Sequence, residues 1–268
     1  MVAIILVGSA FGIFLHYYDN RRYSKQQIVK MFEPVTSKYG IKIVYEVGDD
    51  FLSDIYSPVF PAGPAPDSIV KPIKHRLLAR YPRILKKAFE KYPIEVIKNY
   101  LKGVYFAGEI DQHGFKAGGS YDPFRHIVFM VDNGGQTEGR CIGTFHHEFS
   151  SLLLRSHSFY LNPWLDQNPD GFQYLYETTR DKLKTFNSVS SVNTESDYEI
   201  GFMNSYGQTE FENDFNEYSA MIFTYPEKFK SIMQKYPRVR GKFLVWLKFY
   251  HMIDPVFTEA YVLGPDAK

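Results

Sequence analysis

With 268 residues, 44% hydrophobic and 23% charged, the chain has ordinary globular composition and enough length for a sizeable core. A net charge of +1 excludes a partner held by bulk charge, and the basic residues between Lys71 and Lys91 read as a solvated helix face, so no nucleic-acid partner is expected. Cys141 stands alone, which excludes an intrachain disulfide and a C-x-x-C metal knuckle, and the 23 Phe and 21 Tyr, spread evenly, read as core filling rather than a carbohydrate platform.

Residues 2–15 form a run without charge, followed by His16, Tyr17 and Tyr18 and then Arg21 and Arg22. The length suits a signal segment and falls short of the roughly 20 residues that span a bilayer comfortably. Residues 1–20 are therefore expected to be a signal or membrane-anchor segment. That would make the protein exported, and membrane-anchored, periplasmic or on the cell surface, with membrane association through its N-terminus; a buried first element is the alternative. Residues 21–268 are expected to form a single domain.

Over residues 23–39, Ile28, Met31, Phe32 and Val35 recur at helical spacing, with Pro34 set to kink or end the helix and Gly40 to close it. Residues 41–47 alternate and carry β-branched side chains, which predicts a strand, with a turn at 48–50. Residues 57–72 hold five prolines and read as loop. A helix over 73–90, restarted at Pro82, and a short helix over 94–100 lead to a second strand at 103–108. Gly114, Gly118 and Gly119 lack the spacing of a dinucleotide loop and read as a hairpin turn. Residues 126–132 then give the clearest strand, expected to edge a small sheet.

After a turn at Gly134 and Gly135, a helix is predicted from about Glu138 to Arg155, with Ile142, Phe145, Phe149, Leu152 and Leu153 as its buried stripe. His147 and Glu148 match the first two letters of H-E-x-x-H, in which two histidines one turn apart hold zinc and the glutamate activates the bound water. The i+4 place belongs to Ser151. His146 points about 100° away from His147 around the helix. His157 lies at a metzincin-like interval, yet the companion glycine and middle histidine are missing, so it is assigned to an irregular loop over 156–171. Further on stand Gly201–Phe202–Met203–Asn204–Ser205–Tyr206 and, after Gly207, a helix with Glu210, Glu212, Asn213, Asp214, Asn216 and Glu217. Helices over 226–236 and 238–252, the latter with Phe243, Trp246, Leu247 and Tyr250 on one face, precede a tail at 255–268.

The His147–Glu148 helix and the Gly201–Glu217 stretch together resemble the bacterial zinc-binding metallopeptidases, often lipoproteins, and more remotely the gluzincins of the lethal-factor type. Those proteins carry H-E-F-x-H, then Gly-Phe/Tyr-x-x-x-Tyr leading into an E-D-F-A-E helix; the resemblance spans residues 101–250. It implies an α+β zincin-like domain: a small mixed sheet packed on an active-site helix, with a helical C-terminal half. His147 is similar to the first zinc ligand, Glu148 to the general base and Tyr206 to the hydroxyl that steadies the oxyanion. Ser151 stands in the second ligand's place and Asn213 in that of the glutamate ligand, with Glu217 as the acid behind a ligand. In another register Glu217 is itself the ligand, and it is the better metal candidate because asparagine binds zinc poorly. All six side chains are expected to share one pocket. Catalytic zinc takes three protein ligands, so affinity for Zn2+ is expected to be weak or lost. Two functions follow: a zinc-dependent metallopeptidase acting on a peptide or protein substrate, or an inactive relative that binds a peptide or glycan or serves in a surface complex.

Overall fold

The computed structural model describes residues 23–47, 69–112, 115–175 and 189–264. The expected signal or anchor run at 2–15 and the turn at 48–50 lie outside the described residues, and so does most of the proline-rich stretch. Among the described residues no helix is long and apolar enough to cross a membrane.

Helix α1 (Lys25–Tyr39) starts at a reciprocal cap, in which Ser24 accepts from the Gln27 backbone and Gln27 reaches back to that of Ser24, and ends at Gly40 with φ of 69°. Pro34 neither ends nor interrupts it: Ile28 and Phe32 before the proline and Val35 and Tyr39 after it are all buried, so packing on both sides holds the helix together. Met31, expected in the stripe, is exposed. Strand β1 (Lys42–Val44) is shorter than the alternation suggests, and β2 (Ile69–Pro72) forms where loop was expected, its pairing broken by a register shift before Pro72. Helices α2 (His75–Leu78), α3 (Tyr81–Phe89, with Pro82 in its first turn) and α4 (Ile94–Tyr100) follow.

The sheet is built around β3 (Gly103–Gln112), which runs well past its expected end. Strands β4 (Phe115–Lys116), β5 (Gly119–Asp122) and β6 (Ile127–Val131) complete six strands in the order β1-β3-β6-β5, with β2 and β4 pairing antiparallel to the far part of β3. β1 and β6 flank β3 in parallel; β5 lies antiparallel outside β6. The strand expected at the edge is thus interior, and β5 is the edge. The reason is visible in the residues: Ile-Val-Phe-Met-Val is apolar on both faces, as an interior strand must be, whereas Gly-Ser-Tyr-Asp is not. Alternation along β3 sends Val104 and Phe106 into the main core under the helices and Tyr105 and Ala107 into a second cluster on the opposite face.

Helix α5 (Glu138–Ser156), capped by the Thr137 side chain, lies against β5 and β6 and buries Cys141, Phe145, Phe149, Leu152 and Leu153, while Ile142 is only partly covered. Asp132, just after β6, accepts from Arg80 at 2.5 Å and Tyr81 at 3.2 Å and fixes that end of the strand to α3. The C-terminal half is helical: α6 (Leu161–Leu165), α7 (Glu195–Glu199), α8 (Phe211–Thr224), α9 (Pro226–Lys235), α10 (Pro237–Ile253) and α11 (Glu259–Leu263). The expected tail is packed rather than loose, with Phe257, Val262 and Leu263 buried.

Candidate functional site

Helices α5 and α8 run antiparallel, side by side. Gly139 near the start of α5 meets Tyr225 just beyond α8, and Arg155 near its end pairs with Glu212 in the first turn of α8 at 2.7 Å. A Cβ on Gly139 would fall 2.1 Å from the Tyr225 hydroxyl oxygen, so a larger residue there would push the exposed Tyr225 ring aside.

That alignment sets His147 opposite Glu217, with Nδ1 3.0 Å from Oε1 and the two side chains 13% and 17% exposed. Facing a carboxylate, Nδ1 carries the proton and donates it. The other Glu217 oxygen accepts from Asn204 Nδ2 at 2.6 Å. Asn204 is fully buried and its Oδ1 accepts from the Gly207 backbone at 3.0 Å, so a locked amide holds Glu217 in place. Burial alone would depress the His147 pKa; the Glu217 hydrogen bond and the Glu148 and Glu217 charges outweigh it and raise it. Burial opposes ionisation of Glu217 as well, and the hydrogen bond and charge of His147 prevail, lowering its pKa. The pair is an ion pair.

Glu148 differs. Its side chain is nine-tenths buried, it lines the same cleft, and its carboxyl makes no hydrogen bond among the described residues. Burial raises its pKa to about 7, with His147 opposing the rise and Glu212 and Glu217 reinforcing it. The edge strand approaches closely here: a Cβ on Gly119 would lie 2.6 Å from Glu148 Oε1 and 2.7 Å from Thr144 Cγ2. The cleft has a volume of about 450 Å³ and is walled by α5, α8, β5 and the Tyr206 segment. The Tyr206 ring stacks on His147 with centroids 5.9 Å apart, and its backbone donates to Ser190 at 3.0 Å. Arg140, exposed and bonded to Ser191 Oγ at 2.9 Å, stands at the outer end.

His147, Glu148, Tyr206 and Glu217 therefore share the cleft, while Ser151 and Asn213 do not line it. Ser151 is buried and accepts from Asn216 Nδ2 at 2.7 Å, while Ser150 donates to the oxygen of the same amide. Asn213 donates to Thr209 Oγ1 at 2.9 Å and Glu210 Oε1 at 3.2 Å. Glu212 is held by Tyr121 and Arg155, and Asp214 lies in the dry core of the helices. His146 faces away, fully buried, with Nδ1 2.9 Å from the Tyr92 hydroxyl and burial driving its pKa to about 3. His157 closes the end of α5 through the Leu153 carbonyl and Tyr100. Sequence reasoning assigned no role to Asn204 or Asn216, although both sit inside the stretches it singled out.

A mixed sheet laid over a long His-Glu helix, with a helical C-terminal half, is an α+β architecture. The chain is similar in fold to the crystal structure of a "putative zinc-binding metallo-peptidase" from Bacteroides caccae, with a TM-score of 0.52 and 14% identity over 90% of this chain and 91% of that one. No protein-family profile and no curated protein matches it.

The donor chemistry does not fit a catalytic zinc. Among the described residues no three His, Cys, Asp or Glu side chains are grouped to hold a metal ion. The i+4 place holds a neutral hydroxyl committed to Asn216, and both Glu217 oxygens are committed to protein donors.

Proposed function

We infer that this chain is a zincin-like protein whose cleft holds a peptide or protein segment without metal-dependent hydrolysis. The observation that carries the reading is the closed His147–Glu217–Asn204 chain, which uses for internal hydrogen bonds the carboxylate that a metal would need. Hydrolysis of the zincin type relies on a metal-activated water, for which two candidate ligands are too few. The cleft itself suits an extended chain, because β5 is an edge strand and residues 117–119 form one wall.

Zinc-dependent peptide hydrolysis is the second reading. It is favoured by the presence of His147, Glu148, Tyr206 and Glu217 in one cleft and by the fold relative's description as zinc-binding. Metal analysis of chain purified without chelator separates the two: the first expects almost no zinc, the second about one zinc per chain. A designed gain sharpens this. Replacing Ser151→His together with Asn216→Ala, which clears the space beside it, is expected to raise zinc affinity about 100-fold by setting a second imidazole one turn from His147, with Glu217 as third ligand once the metal displaces Asn204 from its oxygen. Stoichiometric zinc in the unaltered chain would overturn the first reading. We also propose that residues 2–15 carry the chain to or through a membrane; recovery of the intact full-length chain in the soluble cytoplasmic fraction would refute that.

A further inference from the structure

We propose that Glu148 is the receptor for a primary ammonium group of the peptide bound in the cleft. The inference rests on the peptide-binding reading above and names the chemistry that the ligand brings. Glu148 lines the cleft, is nine-tenths buried and has no hydrogen-bond partner among the described residues. Its oxygens are not among the sealed unpartnered atoms of the described residues but face the cleft, where a ligand donor can take the place of water. Every other acid nearby is already matched: Glu217 by His147 and Asn204, Glu212 by Arg155 and Tyr121. His147 acts on both Glu148 and Glu217 but gives its hydrogen bond to Glu217, and Arg140, which also acts on Glu217, stands two helical turns from His147, about 10 Å along the axis, bonded to Ser191. A ligand entering the cleft therefore meets one carboxyl to which no described residue donates, and a cationic donor fits it.

The shape of the slot favours an ammonium over a guanidinium. Gly118, Gly119 and Gly143 line the cleft without side chains, which keeps it narrow-walled for a thin aliphatic stem, and Gly119 is the one beside Glu148. Oε1 lies so near the Gly119 backbone that a methyl group there would be 2.6 Å away. That proximity hinders a planar fork from engaging both oxygens side-on, whereas a compact ammonium with three rotatable donors needs only one. The ammonium can come from a free peptide N-terminus or from a lysine side chain.

The test uses the full-length chain and four alanine-based hexapeptides: lysine or norleucine at the first position, each with a free or an acetylated N-terminus. Calorimetry is expected to give tightest binding for peptides that carry an ammonium, and the acetylated norleucine peptide should bind roughly 10- to 100-fold more weakly. The free norleucine and acetylated lysine peptides tell the two ammonium sources apart. Glu148→Gln, of nearly the same shape, should erase the difference between charged and blocked peptides while leaving the weak binding of the blocked one. If all four bind equally, the ammonium assignment falls and the peptide cleft stands. If none binds at about 1 mM, the cleft reading falls and the assignment falls with it.

Discussion

Helix α8 carries two acid–base pairs three residues apart, and they respond to burial in opposite ways. Asp214 and Lys242 meet at 2.6 Å with both side chains fully inaccessible; Trp164 and Tyr174 also donate to Asp214, and the lysine lies 3.6 Å from the Phe202 ring centroid. There burial prevails on both partners: it raises the Asp214 pKa and lowers that of Lys242 to about 8, so each is pushed toward its neutral form. Glu217 and His147, slightly open to the cleft, are pushed the other way, toward charge. Exposures of 13% and 17% instead of none, together with a hydrogen bond to each carboxylate oxygen, separate a pair that faces the cleft from one that holds the helices together. Glu148 is the third case, a buried acid with no partner.

The largest effect is expected at the dry pair. Lys242→Met leaves Asp214 buried and uncompensated and should cost about 3–5 kcal/mol in urea denaturation. Adding Asp214→Asn should recover a good part of the loss, because the amide oxygen still accepts from Trp164 and Tyr174. A cost below about 1 kcal/mol for the single variant would erase the contrast between the two pairs.

Glu148→Gln should do the opposite and stabilise. A carboxyl whose folded pKa is raised from 4.5 to about 7 costs nothing below pH 4.5. Its cost grows as pH rises between those values and is constant above them, reaching roughly 3 kcal/mol at pH 8. The glutamine variant should match the parent at about pH 4 and exceed it at pH 8 in thermal or urea melts. Equal stabilities at both pH values would mean that Glu148 is not held unpaired.

The smallest effect is expected from Glu217→Gln, about 1–2 kcal/mol. His147, with its pKa raised above 6.5, contributes stability that is complete below 6.5 and fades as pH climbs through its folded value. Glu217, lowered below 4.5, contributes stability that is complete above 4.5 and fades as pH drops through its folded value. The difference between parent and variant should therefore be widest between pH 4.5 and 6.5 and narrow on both sides, as paired denaturation curves would show.

Much of this was legible in the residues. The apolar run at β6 and the buried stripe of α5 carry local signals, whereas an acid facing His147 from 70 residues downstream was implied only by the resemblance. The edge strand was not legible, because Gly-Ser-Tyr-Asp gives no alternation and its role depends on which strand lies beyond it. Nor was β2, whose Pro72 suits an irregular edge as well as it suits a loop. Pro34 misled because tertiary packing on both sides outweighs one lost helical hydrogen bond. At the site, residue spacing left Asn213 and Glu217 on one helix face but could not say which faced His147; that depends on the offset of α8 against α5, along which Asn216 meets Ser151 and Glu212 meets Arg155.

The Asn216 amide bridging Ser150 and Ser151 makes the seam between α5 and α8 resistant to change at one position at a time. A larger side chain at 151 alone crowds the buried amide, and a smaller one at 216 alone removes the donor from the buried Ser151 hydroxyl. Such a contact accepts a fitted pair of changes more readily than either change by itself.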